Sequence, residues 1–172
     1  MSHEYNINLP ISEKIVLNAE RLLNFDVQMY DNDDRLIING KFNGCLAFVK
    51  FVLLESGINI ANYIGPDNKV RKIKFVNEMF DHFGVLVEYG QHQKGDVLFF
   101  SRRGERPQHI GIVVDDNYYI HAPARKGIVC KDKIETLPIE NIAQNSIYRN
   151  NPIGFKRATI SVGHPRWFQK PI

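Results

Sequence analysis

The sequence predicts an α+β fold, with N-terminal helices packed on a central antiparallel sheet. Three observations lead there. Apolar residues recur at helical spacing as far as Phe83. From Val85 onward they follow the short runs and alternation of strands. The order is helices first and then a meander, not alternating β and α units. The chain has 172 residues and is 44% hydrophobic, enough for one domain with a substantial core. One domain over 1–172 is expected, with its core over about 11–150 and a closing segment and loose tail over 151–172. No internal repeat or low-complexity segment is visible.

Taken in order, Ile11 to Leu23 is expected as a helix, with Pro10 and Ser12 at its start and Ile15, Val16, Ala19, Leu22 and Leu23 on one face. A turn-like cluster at Asp31–Asp34 precedes the apolar patch Leu36-Ile37-Ile38. Asn43-Gly44 breaks the chain. Cys45 to Ser56 then forms a second helix, apolar on nearly all sides and therefore buried, which Gly57 ends. Gly65 to Asn68 is a turn, and Arg71 to Phe83 is expected as a third helix, stopped by Gly84. Strands are expected at Val85–Val87, Asp96–Phe100, His109–Val114 and Tyr118–Ala122, the last two joined as a hairpin through Asp115-Asp116-Asn117. Ile128–Lys131 is a further candidate strand, and Pro138 to Ala143 a single helical turn.

Composition excludes several classes. Charged residues make up 24% and the net charge is +3. The basic residues gather after Arg125, a bias that suits an anionic polymer such as cell wall, nucleic acid or a membrane surface, or simply a solvated face. No nucleic-acid partner is inferred from it. Two cysteines, Cys45 and Cys130, make no disulfide framework. No secretory signal opens the chain, and its longest apolar run is interrupted by Lys50 and Glu55. The expectation is a chain made in the cytoplasm, without membrane insertion. It would reach any other site by a specialised export route, or after loss of a signal.

Chemistry concentrates on few residues. Cys45 sits at the first turn of the buried helix, where unpaired N–H groups and the helix dipole favour a thiolate, below the free value of roughly 8.5. The same N–H groups can accept an oxyanion, and Gly44 leaves room for substrate beside the sulfur. Taken alone, such a cysteine is as readily a packed core residue. His109 opens a strand whose Gly111 would let the helix approach closely; beside a thiol it would act as base and then as acid. His121, on the next strand, suits the part of a third group that orients the imidazole. Cys45, His109 and His121 are also allowed zinc ligands. Their spacing matches no compact metal motif, however, and a fourth ligand from Cys130 or Asp96 has no further support. Asp96 fits a turn role better. His82, His92 and Cys130 read as structural or surface residues. Phosphate loops, a Gly-x-Ser-x-Gly elbow and a Cys-x-x-Cys pair are absent.

The runs Lys94-Gly95-Asp96-Val97-Leu98-Phe99-Phe100, His109-Ile110-Gly111-Ile112-Val113 and Tyr119-Ile120-His121-Ala122-Pro123 resemble the NlpC-type cell-wall peptidases. That family typically reads Gly-Asp-Leu-Val-Phe-Phe, His-Val-Gly-Ile-Tyr and Phe-Ile-His-Ala at these places. The resemblance covers roughly residues 43 to 130. It implies a papain-like fold, with Cys45 as nucleophile, His109 as base and His121 as orienting residue. It implies hydrolysis of amide bonds in peptidoglycan stem peptides and no cofactor or metal. Around the nucleophile the family usually has Asp-Cys-Ser-Gly-Phe, whereas this chain has Gly44-Cys45-Leu46-Ala47-Phe48. The family's upstream Tyr-x-Trp-Gly-Gly stretch is missing, and Tyr30 is the nearest counterpart of its substrate-binding tyrosine. These departures bear on substrate choice more than on chemistry. Lipid acyltransferases of this fold usually place the histidine before the cysteine, unlike this chain. Amidase toxins delivered between bacteria share the fold, which leaves room for an immunity or carrier protein as partner. Two alternatives stay open: a non-catalytic cell-wall or protein-binding module, and an amidase or deamidase acting on proteins.

Overall fold

The computed structural model describes residues 9–60, 62–88, 90–101, 106–135 and 153–159. Helix α1 spans Ile11–Glu20 and buries Ile15 and Ala19. It stops short of Leu23 because Asn24 turns to a positive φ of 67° and gives its N–H to Val129 O at 2.9 Å. Three short strands follow: β1 (Val27–Gln28), β2 (Ile37–Ile38) and β3 (Lys41–Asn43), ordered β1-β3-β2. The β1–β3 pair is parallel, so the strands are not all antiparallel. Strand β3 runs straight into helix α2, Gly44–Glu55. As its all-round apolar surface requires, α2 is a core helix, with Phe48, Val49, Val52 and Leu53 fully buried. At its end Gly57, with φ 88°, and Ile58 give their N–H groups to Leu54 O and Leu53 O, the paired bonds of a left-handed helix terminus.

The expected third helix is only partly present. Val70–Lys72 is strand β5, paired with β4 (Asn62–Ile64) across the turn at 65–68. Helix α3 is the shorter span Val76–His82. Pairing with β4 claims the backbone groups of residues 70–72, and the Glu78 carboxylate accepts the N–H groups of Lys74 and Phe75, which fixes the helix start after them. Ile73 is buried as expected, but from a loop.

The main sheet is six-stranded and antiparallel. It contains β6 (Val85–Val87), β7 (Val97–Phe100), β8 (His109–Val113), β9 (Tyr118–His121), β10 (Cys130–Lys133) and β11 (Gly154–Arg157), in the order β10-β9-β8-β7-β11-β6. Strand β7 is buried along its whole length because both faces of the sheet are covered. Val97 and Phe99 face the core that contains α1 and α2, while Leu98 and Phe100 join a second cluster with Val113, Tyr119 and Phe155.

The closing segment is not simply loose. Residues 154–157 are inserted between β7 and β6, with Phe155 opposite both Leu98 and Val87. A strand with one strongly apolar residue finds its place through that residue and one ion pair. Arg157 gives two hydrogen bonds, of 2.8 and 2.9 Å, to the carboxylate of Asp96. Asp96 also accepts the Gln93 N–H, the turn role expected of it. The expected turn at 138–143 and the tail from 160 lie outside the described residues. Asp96 is 1% exposed. Arg157→Leu would therefore leave a buried carboxylate without its cation, at a cost of about 2–3 kcal/mol in urea unfolding. An unchanged midpoint would show that the pair carries no net weight.

Candidate active site

The site begins where β3 becomes α2. Gly44 turns the chain with a φ of 83°, a conformation that strains any L side chain. Gly44 is thus required by the backbone, and the space above it is already taken: a Cβ there would lie 3.4 Å from Tyr30 Cβ. Tyr30, 41% exposed, therefore flanks the turn that precedes Cys45. Asn43 fixes that neighbourhood, and its side chain does not cap the helix. Its oxygen accepts the Asp31 N–H, and its amide donates to Asp31 Oδ1 and Asp33 O.

Cys45 follows, half-buried. The backbone N–H groups around it, those of Ile110, Leu46 and Cys45 itself, pull the thiol down. Burial outweighs them and pushes it up to about 11. The lowered pKa expected from the helix terminus is therefore corrected. The helix N–H groups act as anticipated, but withdrawing the sulfur from water costs the thiolate more.

The influence of the Ile110 backbone sets the sulfur near the start of β8, the strand that His109 opens. His109 and His121 are 7% and 5% exposed. They meet directly, His109 Nε2 lying 2.6 Å from His121 Nδ1. The register sets Gly111, not His109, opposite His121, so the rings touch along the diagonal of the strand pair. Gly111 makes this possible. A Cβ there would lie 2.9 Å from the Tyr119 ring and 3.2 Å from His121 Cβ. The glycine thus admits Tyr119 and His121 rather than helix α2, a correction to the sequence expectation.

The chain of contacts continues beyond the residues singled out in the sequence. His121 Nε2 lies 2.8 Å from Asp132 Oδ2, and Lys126 Nζ sits 2.8 and 3.1 Å from the two oxygens of Asp132. Burial raises the Asp132 carboxyl, but hydrogen bonds from Lys126 and His121 more than offset this and hold it below the ordinary range. A carboxylate can only accept, so His121 carries its proton on Nε2 and presents a lone pair at Nδ1. His109 must then carry a proton on Nε2, and its Nδ1 is the basic nitrogen. Asp132 and Lys126 thereby set the tautomer of both rings. Parity offered a signal: Cys130 and Asp132 alternate on one face of β10, and Cys130 pairs with His121.

Burial pulls His109 down to about 3, with the facing His121 adding to it. Burial also pulls His121 down to about 4, against the hydrogen bond to Asp132. In the unfolded chain both titrate near 6.5. Below that pH the unfolded state binds protons that the folded state refuses, so stability is full above 6.5 and falls as pH drops towards 4. The loss is about 1.4 kcal/mol per unit for each ring. Urea unfolding between pH 7 and 4 should show this slope, and His121→Asn should remove one proton from it. A flat profile would contradict the buried neutral pair.

A cleft of about 230 Å³ opens beside the first turn of α2, lined among others by Tyr30, Asn43, Leu46, Lys50, Lys72 and Lys74. Cys45 is not in its lining; the cleft adjoins the sulfur's turn rather than enclosing it. Among the described residues, the atoms that converge as a group able to hold a metal are those of His121, Cys130 and Asp132, not Cys45, His109 and His121. Asp96 is engaged by Arg157 instead. No helix among the described residues is long and apolar enough to cross a membrane.

The model of the NlpC/P60 family matches residues 39–146. No curated protein matches the sequence significantly. Among solved structures, an NlpC/P60 family protein from Bacillus cereus is 18% identical, with a TM-score of 0.59 over 88% of this chain and 41% of its own. The peptidoglycan hydrolase RipB from Mycobacterium tuberculosis is 13% identical, with a TM-score of 0.58 over 86% of this chain and 64% of its own. NlpC2 from Trichomonas vaginalis is 12% identical, with a TM-score of 0.58 over 92% and 50%. At these identities the likeness is one of fold, and this chain spans less than two thirds of each relative.

Proposed function

The chain belongs to the NlpC/P60 family, and we propose that it is a cysteine hydrolase cleaving amide bonds in the stem peptides of peptidoglycan. The observation that carries this is the 2.6 Å contact between His109 and His121, with the Cys45 sulfur at the start of α2 near the Ile110 backbone. With the thiol pushed up and the imidazole pulled down, neither charge forms alone near neutral pH. The proton therefore leaves Sγ for His109 Nδ1 as the sulfur attacks the carbonyl carbon. The N–H groups of Cys45 and Leu46 at the α2 terminus hold the oxyanion. Collapse breaks the C–N bond, and the amine departs with the proton from His109. Water, deprotonated by His109, then releases the acyl group and restores the thiol. His121 and Asp132 keep Nδ1 the basic nitrogen of His109 throughout.

The cleft carries Arg35, Lys50, Lys72 and Lys74 against Asp33 and Asp34. Asp34 already pairs with Lys72 and Lys74, so the surplus of positive charge that suits a stem-peptide carboxylate is small, with Tyr30 at the edge. RipB, which shares the fold, is a peptidoglycan hydrolase, and this supports the same substrate class. Mass spectrometry of purified peptidoglycan after incubation should reveal shortened stem peptides. Release from protein substrates instead, with peptidoglycan untouched, would point to a protein amidase. The raised thiol favours one rival, a binding module with an inert cysteine. Alkylation separates the two: a working pair labels Cys45 near neutral pH, and more slowly in His109→Ala.

A further inference from the structure

We infer that His121, Cys130 and Asp132 form a binding site for a soft divalent cation of the zinc class, and that its occupancy switches the hydrolase off. The switch rests on the function proposed above; the site does not. The ligand atoms are one imidazole nitrogen, one sulfur and one carboxylate oxygen, all within 4.8 Å of one another. Nitrogen, sulfur and oxygen of these residues are the donors zinc takes, at about 2.0 to 2.3 Å. Asp132 Oδ2 lies 2.8 Å from His121 Nε2 and 4.0 Å from Cys130 Sγ. The hydrogen-bonded nitrogen and oxygen must part by about half an ångström to admit the ion, and the sulfur side must close by roughly an ångström. The donors come from β9 and the sheet-edge strand β10, with Cys130 opposite His121 in the ladder, so backbone pairing preorganises them.

The cluster already holds a cation. Lys126 Nζ stands 3.6 Å from Cys130 Sγ and within hydrogen-bonding distance of both Asp132 oxygens. Its side chain is 52% exposed and follows Pro123 on a turn, so it can withdraw to water. A metal entering in its place displaces the ammonium and the Cys130 thiol proton to solvent, and water completes the coordination.

The effect on the rings follows from proton positions. A metal on His121 Nε2 moves the ring proton to Nδ1. His121 Nδ1 then donates to His109 Nε2, and the proton of His109 is forced onto Nδ1. The nitrogen that must accept the Cys45 proton is now occupied. Asp132 and a metal thus select opposite tautomers of the same pair.

Cobalt titration of the whole chain, kept reduced with a phosphine, tests the site without reference to catalysis. One Co2+ per chain is expected, with a thiolate-to-metal charge-transfer band that zinc abolishes by displacement. The band should survive in Cys45→Ala and vanish in Cys130→Ser, and Lys126→Met should bind about 5-fold tighter or more. No band, or a band lost with Cys45 instead of Cys130, overturns the site, as does weaker binding in Lys126→Met. Zinc should lower fragment release at least about 10-fold in the unmodified protein, and far less in Cys130→Ser measured against its own metal-free rate. Equal inhibition of both overturns the switch. A chain that binds cobalt as described but cleaves no substrate refutes the hydrolase and leaves the site standing.

Discussion

Cys45→Ala will leave a folded protein without turnover. In the proposed mechanism the sulfur supplies the bond-forming electron pair, and no other described nucleophile is placed beside the α2 N–H groups, so the loss should reach at least about 10⁵-fold in kcat. That corresponds to about 7 kcal/mol of transition-state stabilisation. Stability should barely move. The side chain is small and half-buried, and alanine removes a single sulfur atom, so the change stays within about 1 kcal/mol. Peptidoglycan digests and thermal unfolding of the same sample decide the matter together. Full activity in the variant would remove the sulfur from the mechanism, and an unfolded variant would leave the comparison to Cys45→Ser.

The parts of the molecule legible in the sequence are those in which local pattern and tertiary packing agree. Helix α2 is apolar on nearly every side and has one place to go. Strands β7 to β9 are short apolar runs with turns between them, and their order brings His109 and His121 together. Residues 70–72 fail this test. The expected helix takes in Arg71 and Lys72 because Ile73 continues the apolar stripe of α3, but pairing of residues 70–72 with β4 decides the matter, and one-dimensional periodicity carries no record of a partner strand. Strand β11 fails for a related reason. It is held by Phe155 and by the Arg157–Asp96 pair, two contacts with residues far away in sequence.

Asp132 is hidden in the sequence for a different reason. In Lys131-Asp132-Lys133 it looks like a solvated charge on an edge strand, and so do its neighbours. Only the register that sets Cys130 against His121 brings the carboxylate within reach of the imidazole. That register depends on the number of residues in the turn after Pro123, which no motif specifies. The raised thiol is hidden on the same grounds. The helix terminus is written in the sequence, but the burial that opposes it is a property of the assembled fold.

Asp132→Asn should therefore be more damaging than Asp132→Ala, an order that a merely structural role would not produce. Asparagine preserves shape but can turn its amide N–H towards His121 Nε2. That nitrogen would then accept, its proton would move to Nδ1, and His109 would be driven to the tautomer that cannot take the proton from Cys45. An inverted tautomer costs on the order of 10³ or more in kcat. Alanine leaves Nε2 open to water, which accepts a hydrogen bond as a carboxylate does, so the productive tautomer survives and the loss should stay near 10-fold. Alanine loses the contact with Lys126, whereas asparagine keeps one oxygen that accepts from it; KM should change little in either, because Asp132 touches the ring and not the substrate. Equal losses for the two substitutions, or a loss confined to KM, would show that Asp132 does not direct the protons of the histidine pair.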